Sequence, residues 1–190
     1  VSRGPLLALS GVALVRGGRL LFDGLDLNLA AGEAALVTGA NGAGKSSLLR
    51  LAAGLLRPAS GEVARAPGPV AFADEALALD PKPTLARALG FWARLDGGSA
   101  EAAMAAMGIA HLAAVPVRML STGQRKRAVL ARAIASRARL WLLDEPANGL
   151  DGDGLDRLAA AMAAHRGSGG AVLAASHQPV GLDDAKAVAL

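Results

Sequence analysis

The chain has no cysteine and no tyrosine, and aromatic residues make up only 3% of its 190 residues. Without thiols it can form neither disulfides nor thiolate metal sites, a composition that fits the cytosol. With 53% hydrophobic residues but so few rings, the core has to be built from Leu, Val and Ala. Long apolar runs are missing too. The two longest charge-free stretches, residues 102–117 and 167–182, are broken by His, Pro and Gly and fall short of the ~18 residues of a membrane span. The opening VSRGPLLALSG lacks the apolar core of a secretory signal, so a soluble cytosolic chain is expected. Excess charge is small, formally +4. The isoelectric point near 10.3 arises because, without Cys or Tyr, almost nothing titrates between His and Lys. The densest basic cluster, Arg125-Lys126-Arg127, has no interleaved aromatics, so no specific nucleic-acid partner is expected.

What is present reads as one α/β domain, large enough to bury a real core. Residues 6–9 and 25–29 alternate like half-buried strands around the turn Arg16-Gly17-Gly18-Arg19. A short apolar run at 34–38 precedes a Gly-rich loop and a helix over 45–53, stopped by Gly54. A strand is predicted at 70–73. Residues 85–114 read as Ala/Leu/Met helices broken at Gly97-Gly98 and Gly108. Further helices are predicted over 122–136 and 154–165, with buried strands at 140–143 and 171–175. Strands alternating with helices imply a parallel sheet, with the middle helices forming a separate lobe.

Three segments carry chemistry. GANGAGKSS (Gly39, Ala40, Asn41, Gly42, Ala43, Gly44, Lys45, Ser46 and Ser47) matches the phosphate-binding loop G-x-x-x-x-G-K-[ST], after a strand and opening a helix. Backbone N–H groups can close around phosphate oxygens only where no Cβ intervenes, and the helix N-terminus adds partial positive charge. Lys45 supplies a full charge to the β/γ-phosphates and Ser46 is the expected Mg²⁺ ligand. Gly accounts for 24 of 190 residues, yet residue frequencies make a chance match roughly a half-percent event over the chain. RLWLLDEP is an apolar strand ending in Asp144, expected to hold Mg²⁺ through water, and Glu145, expected to polarise the attacking water as general base. LSTGQ (Leu120, Ser121, Thr122, Gly123, Gln124) opens another helix. Read alone it is an ordinary capped helix, or a second anion-binding end.

With LSTGQ, the chain resembles the ABC ATPase family, whose signature is usually written LSGGQ; Thr122 stands for the first glycine. The family's order is kept: phosphate loop, signature, carboxylate strand, NGLD ending at Asp151, then His177 just past a strand. The resemblance implies a P-loop NTPase core sheet with a small antiparallel β subdomain and a helical subdomain. The core would span roughly 1–75 and 136–190, and the helical lobe 76–135. It implies ATP and Mg²⁺ as ligands, with His177 contacting the γ-phosphate. It also implies a head-to-tail dimer in which ATP lies between Lys45 of one copy and Ser121 and Gly123 of the other, with Asp151 at the seam.

Two departures stand out. The glutamine that the family carries between loop and signature has no counterpart; Glu75 or Ala76 takes its position. No aromatic near Val15 and Arg16 can stack on adenine, although the Arg16 guanidinium could.

Finer features, RGGRLLFDGLDLNLAAGE, GQRKRAVLARA and the 160–182 segment, look like one group within the family, the ATP-binding subunits of haem exporters in cytochrome c maturation. That resemblance implies membrane-spanning partner subunits and peripheral attachment to the cytoplasmic side of a bacterial inner membrane. The alternatives are a soluble ABC-type ATPase acting on nucleic acid or the ribosome, the ATPase of another small exporter, and a small P-loop kinase. No C-x-x-C-H haem motif occurs, and His111 and His165 read as ordinary helix residues.

Overall fold

The computed structural model describes residues 4–74, 76 and 79–190. Its first layer is an antiparallel sheet ordered β2-β1-β4, from β1 (Leu7–Arg16), β2 (Arg19–Leu29) and β4 (Ser60–Arg65). The second is a parallel sheet ordered β5-β6-β7-β3-β8, from β3 (Ala34–Thr38), β5 (Val70–Ala73), β6 (Leu140–Asp144), β7 (Ala171–Ala175) and β8 (Lys186–Ala189). β6 and β7 are buried along their whole length, as LWLLD and AVLAA require of central strands covered on both faces.

Alternate residues of the parallel sheet feed two cores. Leu140, Leu142 and Leu173 face α1 (Lys45–Ala52) and the antiparallel sheet, packing on Leu7, Leu14, Leu48 and Leu49. Trp141, Leu143 and Val172 face the helices α2 (Leu85–Asp96), α3 (Ala100–Ala106), α4 (Thr122–Ala135) and α5 (Gly152–Gly167). Burying each such Leu contributes roughly 1.5–3 kcal/mol, so the sheet is stabilised from both sides. The helices between Leu85 and Ala135 form one continuous apolar cluster with the second face. Among the described residues no helix is long and apolar enough to cross a membrane.

The predicted strands and helices are present where the pattern put them, with two additions and two extensions. β4 and β8 were not legible, and β1 and β2 run well beyond residues 6–9 and 25–29. The β1–β2 register shifts between Leu9 and Val12, where Ser10 and Gly11 interrupt the alternation, so the period breaks inside one continuous strand.

Candidate functional site

Parallel pairing aligns the carboxyl ends of three adjacent strands, with Val37 of β3 opposite Ala175 of β7, and Asp144 of β6 opposite Ala175. The loop after Thr38, the Asp144-Glu145 pair and His177 therefore emerge side by side, at the sheet edge where open α/β sheets bind ligands. Gly39 turns the loop with a φ of 148°, and a Cβ there would lie 2.6 Å from the Leu190 carbonyl oxygen, so neither the conformation nor the space admits a side chain. The loop ends on α1, whose first amides lack helical partners and point outward.

Lys45 is 7% exposed. Its ammonium meets three acceptors, donating to the carbonyl oxygens of Gly39 at 2.9 Å and Ala40 at 3.2 Å, with His177 Nε2 at 2.8 Å. A phosphate oxygen would have to exchange with one of these, and the exchange keeps all three protons satisfied. His177 Nε2 also lies 3.1 Å from Asn41 Oδ1 and 3.6 Å from Glu145 Oε1. The His177 backbone N–H donates to Glu145 Oε2 at 3.4 Å. Glu145 has a φ of 45°, the one positive value among the described non-glycine residues. Its N–H donates to the Ala175 carbonyl at 2.8 Å, and its own carbonyl accepts from Lys126 Nζ at 2.7 Å and from Asn148 N–H at 3.2 Å.

Of these groups, Asn41, Lys45 and Glu145 border a cavity of about 690 Å³. Glu145 lines one wall and Lys45, Ser46 and Ser47 another, while Arg16 and Arg50 add two guanidinium groups. Arg16 donates to Ser47 Oγ at 3.2 Å, and Arg50 lies 3.8 Å from Asp74. Three cations against one lining carboxylate suit a polyanion. Asp144 is 7% exposed at the end of β6.

A second cavity, about 450 Å³, is lined by Ser121, Gly123, Gln124, Arg127, Gly149 and Asp151. Ser121 caps α4 through a reciprocal box. Its Oγ accepts from Gln124 N–H at 3.3 Å and its N–H donates to Gln124 Oε1 at 2.9 Å. Asp151 caps α5 by accepting from Gly154 N–H at 3.0 Å, and it pairs with Arg127, which also donates to Asp153 at 2.8 Å. The Arg127 hydrogen bond, then the Gly154 amide, hold the Asp151 carboxyl below its usual range. The segment from Glu145 to Asp151 runs from one cavity to the other, and no described residue lines both.

The structure thus brings Gly39–Ser47, Asp144, Glu145 and His177 together and holds the LSTGQ turn apart at its own cavity. Sequence reasoning missed Arg50, just over one turn after Lys45 and Ser46 on α1, and also the Asn41–His177 contact and the Lys126 tether, which depend on residues far apart in the chain. Of the two candidates for the missing glutamine, Ala76 donates its N–H to Asp74 Oδ1 at 3.0 Å, and Glu75 lies outside the described residues.

The sequence pattern of the ABC transporter family matches residues 22–148. The chain is 58% identical to the cytochrome c biogenesis ATP-binding export protein CcmA of Sphingopyxis alaskensis, covering 94% of this chain and 93% of that one. It is 55% identical to the protein of the same name from Zymomonas mobilis subsp. mobilis, covering 97% and 84%. A solved ATP-binding subunit of an ABC transporter superposes with a TM-score of 0.87 at 20% identity, over 97% of this chain and 85% of that one, a likeness of fold. The phosphate loop, the carboxylate strand and these relatives agree: the chain belongs to the ABC transporter family, as an ATP-binding ATPase of its cytochrome c biogenesis export group.

Proposed function

We propose that this ATPase drives haem export or release for c-type cytochromes, seated on membrane-spanning subunits at the cytoplasmic face of a bacterial inner membrane. The observation that carries the catalytic part is the meeting of Lys45 and Glu145 across one cavity, with His177 in reach of both. In this reading the loop amides and Lys45 bind the β- and γ-phosphates. Glu145 accepts a proton from the attacking water, and His177, bridged to both Lys45 and Glu145, contacts the γ-phosphate. Ser46 and Asp144 offer hard oxygen donors, a hydroxyl and a carboxylate, that fit Mg²⁺. That ion would neutralise charge developing on the β/γ oxygens.

The Lys45 cavity and the LSTGQ cavity are separate within one chain, which favours a head-to-tail dimer that closes each nucleotide between two copies. Ser121 Oγ acts as acceptor in its cap, so its own hydrogen remains to donate to a phosphate oxygen from the partner copy. Thr122, Gly123 and Gln124 continue that turn, and Asp151 lies at the seam. The core (about 1–75 and 136–190) and the helical lobe (76–135) would move as two parts of this cycle.

Glu145→Gln, introduced in the native host, tests both levels. The amide keeps the shape and the His177 N–H contact but cannot take a proton. ATP should still bind, turnover should fall roughly 10²–10⁴-fold, and c-type cytochromes should lack haem. Unchanged turnover rejects the catalytic assignment, and normal c-type cytochromes alongside a dead ATPase reject the haem assignment.

A further inference from the structure

The tether between α4 and Glu145 belongs to neither the phosphate loop nor the LSTGQ turn. Resting on the catalytic reading of Glu145 above, we propose that Lys126 is a positioning residue. It holds the Glu145 carboxylate in its working direction and links that carboxylate to the helix whose tip carries Ser121.

Glu145 sits in a conformation it would not choose. A φ of 45° crowds the Cβ of any non-glycine residue, and the following Pro146 independently biases position 145 toward extended backbone. Such strain persists only where the surroundings fix the residue on both sides. On the amino side its N–H is bound to Ala175 O at 2.8 Å, continuing the β6–β7 pairing. On the carboxyl side its carbonyl accepts from Asn148 N–H at 3.2 Å and from Lys126 Nζ at 2.7 Å. The Lys126 bond is the shorter of the two and is charge-assisted, so it is the stronger. With both peptide planes fixed, the Cα–Cβ direction is fixed as well. That direction leaves Oε2 3.4 Å from the His177 N–H and Oε1 3.6 Å from Nε2. Without the ammonium, the 145–146 peptide can relax toward extended backbone and carry the carboxylate away from His177.

The same bond crosses between parts of the chain. Ser121 caps α4, and Lys126 stands about 7.5 Å further along the axis. A shift of the helix tip, as when a partner's phosphate engages Ser121, is therefore transmitted to the neighbouring catalytic carboxylate through a stiff element and one short hydrogen bond.

The test compares Lys126→Met, which keeps the stem and removes the donors, with Lys126→Arg, which restores a cationic donor, each alone and on Glu145→Gln. Expected for Lys126→Met is a fall in kcat of roughly 10–100-fold, the size of an ångström-scale misplacement, with ATP affinity and KM unchanged. Lys126→Arg should recover most of the loss. On Glu145→Gln, Lys126→Met should cause no further fall, since both changes act through one group. Full activity of Lys126→Met while Glu145→Gln is inactive overturns the tether and leaves the catalytic reading standing. Full activity of Glu145→Gln overturns that reading first. If Lys126→Met loses ATP binding or folding along with turnover, the lysine is only structural and the proposal fails.

Discussion

Alanine at Gly39 and at Gly42 separates two costs that the phosphate loop combines. At Gly39 the φ of 148° is closed to side chains, a strain of about 1–3 kcal/mol. The new Cβ would also sit 2.6 Å from the Leu190 carbonyl oxygen. That oxygen is backbone, on a segment joined to β3 by the Leu190 N–H to Thr38 O bond and by the β3–β8 pairing. Leu190 follows the last residue of β8 and is held by its N–H, so relief requires its carbonyl to turn away from the new Cβ, at the low end of an overpacking cost of roughly 1–3 kcal/mol. Gly42 has a φ of 81° but no heavy atom within 4 Å of a built Cβ, so only conformational strain of about 1–2 kcal/mol applies. Gly39→Ala should therefore be the more destabilising by at least about 1 kcal/mol, a sizeable part of the ~5–15 kcal/mol that holds a domain folded. Urea unfolding reads this as a lower midpoint at constant slope. Because the Gly39 carbonyl accepts from Lys45 at 2.9 Å, ATP affinity should fall with it. Equal midpoints for the two variants would refute the argument.

His165 lies parallel to Trp141 at 3.9 Å, and burial holds its imidazole below the ordinary histidine range. The neutral ring is thus the folded form. The associated stability is complete above about pH 6.5 and is lost as pH falls below it. Unfolding midpoints measured from pH 8 to 5 should drop more for the natural chain than for His165→Phe, and parallel curves would contradict this. A Cβ at Gly170 would lie 2.2 Å from the same ring, so Gly170→Ala should displace the stack at a cost of about 0.5–1.5 kcal/mol. On a His165→Ala background that cost should vanish, as a double-mutant cycle would read directly.

Legibility followed how locally each feature is encoded. β3, β6 and β7 are continuous apolar runs, and Lys45, Asp144 and Glu145 sit at fixed offsets from them, so both strands and residues were readable. β4 escaped because SGEVAR is almost wholly exposed and joins the sheet along one edge only. β8 escaped because only Val188 of its four residues is buried. The bulge at Ser10 and Gly11 hid the second half of β1. Within the site, Arg16 on Ser47, Asn41 on His177 and Lys126 on Glu145 join residues 31, 136 and 19 positions apart. No periodicity encodes such contacts. LSTGQ was legible both as a cap and as a signature. The capping box satisfies the first meaning within one chain, while the second, in the function proposed above, concerns a surface that another copy completes.

That completion is best tested by the mass of Glu145→Gln in solution, by light scattering with ATP, with ADP and without nucleotide, alone and combined with Ser121→Phe. The expected result is a doubled mass with ATP only, and a single mass for the combined variant, which still binds one ATP per chain because Ser121 lies outside the Lys45 cavity. A dimer that survives Ser121→Phe, or ATP binding abolished by it in the isolated chain, would contradict a nucleotide enclosed between two copies.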